Sequence, residues 1–415
     1  MKTEIKQRIE QIRRGEVPER YVKTALGLAP ANWKRYTFGD IYTERKEPGD
    51  ENLPLLMVSI HSGVSDGEVD AAELPKQVKR IEDKSQYKKA VSGDLVFNMM
   101  RAWQGAIGTA RTTGMVSPAY IVAEPNDKAY PLFMDYYSRT PQMINQIDRQ
   151  SYGVTDFRKR LYWDSFAPIS CTLPPIEEQQ KIATILTTQD RVIELKEKQL
   201  AEKQRQKKYL MQQLLTGKKR LPGFNGAWKT DCLGKLFFER KETNCENIEM
   251  LAITGTQGII PRKELDLKDN SSEDKSKYLR VCVGDIGYNT MRMWQGVSAY
   301  SNYEGIVSPA YTILKPSSSI NAKYFAYLFK MSEIVFLFYR FSQGLVDDTR
   351  NLKYENFKKI KVCYPPDMKE QTAIAEVLSA ADREIDLLRQ DIEQEKQKKK
   401  ALMQLLLTGI VRVKI

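Results

Sequence analysis

His61 is the only histidine in 415 residues, and that alone removes most familiar side-chain catalysis. Imidazole-based triads and multi-histidine metal sites are excluded or nearly so. The five cysteines, Cys171, Cys232, Cys245, Cys282 and Cys363, are scattered, odd in number and form no CxxC pair. That pattern points to reduced thiols, against a disulfide framework and against zinc. An amino-methyltransferase needs an Asp/Asn-Pro-Pro-Tyr/Phe loop to hold its target amine. The nearest strings, Leu173-Pro174-Pro175-Ile176 and Tyr364-Pro365-Pro366-Asp367, are wrong on both sides of the prolines and look like helix starts. There is no GxxxxGK[ST] loop to cradle a nucleotide phosphate. Pro366-Asp367 with Lys369 resembles a fragment of a nuclease site, yet it too sits where a helix begins. No catalytic residue and no metal ligand is assigned.

Binding chemistry is better represented. Sixty-five Lys and Arg against fifty-three Asp and Glu give a formal charge of +12, which suits a polyanion. The surplus is uneven: residues 31–172 are formally neutral, and the excess lies in the N-terminus, the central helix and the second half. Arg101 and Gln104, with counterparts Arg292 and Gln295, sit beside a tryptophan in a Gly-flanked MRxWQG turn. Arginine can pair with guanine and glutamine with adenine. Residues that both repeats of the chain share cannot make the two repeats bind differently, so this turn is expected to shape the domain or grip phosphate, with Trp103 and Trp294 packing on the core. Base readers are expected where the repeats diverge: residues 62–89 after His61, with the cluster Lys76, Lys79, Arg80, Lys84, Lys88 and Lys89, and residues 254–277. Two loops are further candidates, one carrying Thr155 and Arg158, the other Thr349 and Arg350. Each could equally be a solvated loop. Lys207, Lys208 and Lys399 could face phosphate, a partner subunit or only water.

Two long helices organise the chain. Residues 173–217 open on Pro174-Pro175, carry no interior Gly or Pro and stop at Gly217. About 40 residues at 1.5 Å each make roughly 60 Å, too long for an ordinary packed element. Leu186, Ile193, Leu200, Lys207 and Leu214 recur on a seven-residue step, as do Leu378, Ile385, Ile392, Lys399 and Leu406 in residues 365–409. A seven-residue step is a coiled-coil seam. The lysines and Gln189 make either stripe poor alone; two seams in matching register are expected to pack together.

The globular parts also repeat. GDLVFNMMRAWQGAIGTARTTGMVSPAY (93–120) returns as GDIGYNTMRMWQGVSAYSNYEGIVSPAY (284–311), and Glu44-Arg45-Lys46-Glu47 returns as Glu239-Arg240-Lys241-Glu242. Self-similarity on this scale is duplication of a whole domain with its helix. Short strands are expected at LPLLMVSI, GDLVFNM, AYIVAE and at EMLAITG, GDIGYNT, AYTILK. A helix-like stretch follows in each unit, PLFMDYYSRTPQMINQI and AKYFAYLFKMSEIVFLFYR. Residues 4–14 read as a short helix ending at Gly15. Pro18 and Trp33 echo Pro222 and Trp228, as though a two-repeat circle had been cut there. The fold class is α+β: an N-terminal helix and linker (1–30), a globe (31–172), a long helix (173–217), a second globe (218–364), a second long helix (365–409) and a tail (410–415).

Two globes, each followed by LPPIEEQQKIATIL or YPPDMKEQTAIAEVL and closed by LMQQLLTG or LMQLLLTG, resemble the specificity subunit of type I restriction–modification systems over essentially the whole chain. The resemblance implies two target-recognition domains that each read half of a split double-stranded DNA target. It also implies an antiparallel coiled coil that separates them and docks two methyltransferase subunits, with restriction/translocase subunits joining the assembly. It implies no cofactor and no catalysis in this chain; S-adenosylmethionine would belong to the methyltransferase partner. The charged N-terminus and the absence of a long apolar run fit a cytoplasmic protein. An enzyme with an unfamiliar site and a coiled-coil scaffold without a DNA role are the alternatives.

Overall fold

The computed structural model describes residues 3–24, 27–50, 52–60, 63–65, 86–153, 155, 158–245, 248–255, 258–265 and 274–414. The chain divides into two compact units, residues 1–195 with 392–415 and residues 196–391.

In the first unit a four-stranded antiparallel sheet runs in the order Tyr42–Glu44, Tyr120–Pro125, Leu95–Asn98, Ile107–Thr109. Leu95 and Phe97 point into a large aromatic core with Phe38, Phe133 and Phe166, while Val96 and Val122 face a smaller core with Val58, Val64 and Val116. Both sheet faces are therefore buried, which is why LVF reads as an unbroken apolar run. Two ends of the globe are joined by Lys34–Thr37 pairing antiparallel with Ser170–Leu173. The expected strand LPLLMVSI is regular only over Met57–Ser59, which pairs with Gly63–Ser65. The N-terminal helix spans Thr3–Arg13, and Gly15 takes the left-handed conformation (φ 79°) that stops it.

The second unit repeats this order with Phe237–Arg240, Tyr311–Pro316, Ile286–Asn289 and Ser298–Tyr300, joined at its ends by Lys229–Cys232 with Lys361–Tyr364. Each helix-like stretch is two helices. Pro131–Tyr137 and Pro141–Arg149 are divided before Pro141, whose ring and missing N–H end the first helix, and Thr140 caps the second. Ala322–Leu328 and Ser332–Phe341 break at the same place without a proline.

The long helices run Ile176–Leu214 and Met368–Leu406, 39 residues each. Within each unit a half of one lies antiparallel to a half of the other. In the second unit Lys196 meets Asp391 (2.7 Å), Lys203 meets Glu384 (2.6 Å) and Lys207 meets Asp382. In the first unit Gln189 donates to Glu395 (2.7 Å) and Lys399 meets Asp190 (2.6 Å). The polar seam positions thus find acids on the opposing helix. Leu186, Ile193, Leu214, Leu378, Ile385, Ile392 and Leu406 are buried and Leu200 half-buried. The ion pairs are partly solvated and contribute at most about 1 kcal/mol each, so apolar burial holds the helices together.

The PP…EQ motifs fasten these helices to their globes. Gln179 accepts from the Tyr130 N–H (2.8 Å) and donates to Lys128 and Pro174 carbonyls (2.9 Å each). Gln371 accepts from Asn321 N–H (2.8 Å) and donates to Pro365 (2.9 Å). Beside them, buried Glu178 takes both arms of Arg412 (2.6 and 2.7 Å), as Glu370 takes those of Arg220. The echo of Trp33 in Trp228 has the same origin. A Cβ on Gly217 (φ 70°) would stand 3.3 Å from the Trp228 ring, and one on Gly409 (φ 70°) would stand 3.0 Å from Trp33.

Candidate nucleic-acid interface

In each unit the structure brings the MRxWQG turn against the loop that leads back to a long helix. The turn is built by its own side chains. Asn98 accepts from the Met100 N–H (2.9 Å), residues Ala102–Gln104 form one 3-10 turn, and Gly105 ends it at φ 104°. Asn289, Met293–Gln295 and Gly296 (φ 78°) do the same in the second unit. Trp103 and Trp294 each donate the indole N–H to the carbonyl of Met100 or Met291 (3.0 and 2.9 Å), and Trp103 packs on the aromatic core. Arg101, Gln104, Arg292 and Gln295 point outward and are exposed, and the exposed Met100 and Met291 stand beside them. The tryptophans shape the turn; its Arg and Gln are left facing water.

The second loop closes on itself. Tyr152 and Arg160 exchange two backbone hydrogen bonds (2.9 and 2.7 Å), and Gln343 and Asn351 do likewise. Its root is tied to the turn by Leu161 N–H to Met99 carbonyl (2.8 Å) and Leu352 N–H to Thr290 carbonyl (2.9 Å). A side-chain brace completes the join, with different chemistry in each unit. Lys159 meets Asp148 (2.8 Å) and lies over the Trp103 ring at 5.1 Å. Arg350 lies over Tyr339 at 3.9 Å, donates to its hydroxyl (2.7 Å) and pairs with Asp347 (2.7 Å), while Tyr339 meets Trp294 edge-on at 6.1 Å. Thr155 and Arg158 are exposed. Thr349 is spoken for by the Val346 carbonyl (3.0 Å), and Arg350 is a strut whose positional counterpart is Lys159.

The remaining candidates separate. Lys76, Lys79, Arg80 and Lys84, with His61, lie outside the described residues. Lys88 donates to the Tyr120 carbonyl (2.8 Å), and burial pulls its amine below the ordinary lysine value; Lys89 pairs with Glu47 (3.1 Å). Lys207 and Lys399, besides their seam partners, lie over Tyr327 and Tyr136, so they are internal, whereas Lys208 is exposed. The repeated Glu-Arg-Lys-Glu and Gly-Asp blocks are scaffold. Arg45 grips buried Asp94 (2.7 Å) and Arg240 grips buried Asp285 (2.7 Å). Burial still drives the Asp94 carboxyl upward against that pull.

Sequence reasoning missed the Arg220–Glu370 and Arg412–Glu178 clamps, although an Arg three residues after each LTG was there to be seen. It also missed where the repeats differ behind the sheet. Asp135 holds Arg111 (2.7 Å) and Arg139 in the first unit; Ala326, Asn302 and Lys330 stand there in the second. Lys330 instead donates to the Gly296 and Ser298 carbonyls, and burial pulls it down to about 8. It lines a cavity of about 630 Å³ with Lys207, Tyr327 and Asp382. Among the described residues no cluster could hold a metal ion, and no helix is long and apolar enough to cross a membrane.

A family model described as the type I restriction modification DNA specificity domain matches residues 77–205 and 234–397. The chain is 24% identical to the putative type I restriction enzyme MjaX specificity subunit of Methanocaldococcus jannaschii, across 95% of this chain and 97% of that one. It is 25% identical to the MjaVIII specificity subunit of the same organism, across 80% and 83%. Among solved structures, the S subunit of a type I restriction–modification system from M. genitalium shares the fold, with a TM-score of 0.54 at 14% identity over 90% of this chain and 96% of that one.

Proposed function

Because the chain belongs to the family of type I restriction–modification DNA specificity domains, it is a DNA-recognition subunit without catalysis of its own, and we propose that each unit reads one half of a bipartite target. The observation that carries this is the double match, one per repeat, laid over two globes with the same sheet order and the same braced pair of loops. The shared residues build the scaffold, so the bases are read by the residues that differ. Residues 31–172 and 218–364 are the reading domains in this account. The helices of 173–217 and 365–409 form the coiled coil that sets the spacer and docks two methyltransferase subunits, to which restriction/translocase subunits add. S-adenosylmethionine is bound by the methyltransferase, and the assembly works in the cytoplasm.

The test is salt-dependent duplex binding by the complex with its methyltransferase. Neutralising several phosphates makes the logarithm of the affinity fall steeply and linearly with the logarithm of salt concentration. A selective, salt-sensitive complex supports the reading. Binding without salt dependence or selectivity supports a scaffold, and turnover by the isolated chain supports an enzyme.

A further inference from the structure

The loop of residues 343–351 ends in an apolar tip. Leu345 is 101% exposed and Val346 59% exposed, at a place where turn chemistry favours polar residues. The loop is not slack: the Gln343–Asn351 hydrogen bonds close it, Leu352 ties it to the MRxWQG turn, and Arg350 braces it on Tyr339. Gly344 (φ 148°) brings the strand within reach of the Thr349 carbonyl, where a Cβ would stand at 2.7 Å. Exposed Arg292, Arg340 and Lys353 stand at the roots of this loop, the turn and the helix before it, and Met291 is exposed on the turn.

We propose that Leu345 is a wedge that enters the base stack of the bound DNA. This rests on the reading of the chain as a DNA-recognition subunit. An aliphatic tip has no hydrogen bond to offer a base edge. Its possible uses on a duplex are contact with a thymine methyl group or insertion between base pairs, the manner in which leucine and other apolar side chains kink DNA. Arg292, Arg340 and Lys353, on the elements from which the loop springs, match the phosphates beside such a step, the loop's own Asp347 is paired with Arg350, and this charge opposes an apolar protein groove as the occupant. The corresponding position of the first unit is Val154, which lies outside the described residues, and the proposal concerns Leu345 of the second unit alone.

The test uses the full complex with its methyltransferase on a duplex carrying its mapped target, with 2-aminopurine placed in turn across both blocks. In the wild type, fluorescence rises at one step when the complex binds. Leu345→Ala and Leu345→Ser lose that rise and bind about ten- to a hundredfold more weakly, the scale of one leucine returned to water. Leu345→Phe keeps both. A fully exposed side chain does not hold the fold, and co-sedimentation with the methyltransferase verifies that assembly is intact. Unchanged fluorescence and affinity in Leu345→Ala overturn the wedge, as does a loss of assembly in place of DNA unstacking. A wild-type complex with no selective binding instead removes the DNA reading on which it rests.

Discussion

Arg412→Ala is expected to destabilise the first unit far more than its position near the end of the chain suggests. Glu178 is fully buried, and both its oxygens are held by Arg412, which also reaches Asn32 (3.0 Å). The remaining donor is the Trp33 indole, 3.3 Å from the carboxylate. Removing the guanidinium leaves a buried charge with one weak donor, a change that costs about 3–5 kcal/mol in closed sites. The Arg412 side chain is 29% exposed, so water can enter its place, and about 3 kcal/mol is the better figure. At roughly 2–4 °C per kcal/mol for a unit of this size, the melting temperature falls by about 6–12 °C. Adding Glu178→Gln should recover most of the loss, because a neutral amide needs no counter-charge. Arg220→Ala is the internal control: it exposes Glu370 in the second unit by the same logic. The assay is thermal unfolding with hydrogen exchange read by mass spectrometry. Arg412→Ala should lose protection in peptides around residues 171–190, and Arg220→Ala around 361–378. A loss below about 1 kcal/mol, or protection lost in the opposite unit, would refute the reasoning.

Two further outcomes follow from the helices and the cavity. Four residues inserted in a long helix add about 6 Å, and at about 3.4 Å per base pair the spacer of the methylated motif should lengthen by one or two; an unchanged spacer in sequenced DNA speaks against the ruler. Lys330 has its amine pulled down to about 8 by burial, so the unfolded state holds the extra proton between about pH 8 and the ordinary lysine value. Lys330 is exposed by surface area even though its amine sits among carbonyls, so solvent screens much of the effect: the wild type should gain stability relative to Lys330→Met as pH rises through that window, by no more than about 1 kcal/mol, in denaturant titrations. A difference that stays flat with pH means the amine is not desolvated.

The large features were legible because they are periodic or repeated. Heptads located the helices to within three residues at either end, and matched offsets revealed the duplication. What failed to show was cross-chain chemistry. The acids that neutralise Lys196, Lys203 and Lys207 sit on the other helix next to seam positions, where counting along one strand of sequence cannot see them. Gln179 and Gln371 look like ordinary helix residues, yet each is buried and satisfied by backbone groups roughly 50 positions away in the globe. The edge ladder of Lys34–Thr37 with Ser170–Leu173 is too short and too polar to announce itself. Of the two candidate loops, the sequence set Arg158 against Arg350 as their ends, whereas the structural counterpart of Arg350 is Lys159: Lys159 braces its loop on Trp103 and Asp148, and Arg350 braces its own on Tyr339 and Asp347. The divergent basic cluster from Lys76 to Lys84 falls outside the described residues.

The central claim is that two units read two halves of one target. The direct measurement is a methylome: the chain expressed with its methyltransferase in a methylation-free host, with modified adenines mapped by single-molecule sequencing. The account predicts one new split motif, two short defined blocks around a fixed gap. If the same methyltransferase is active beside another specificity subunit and no new motif appears here, the claim is contradicted.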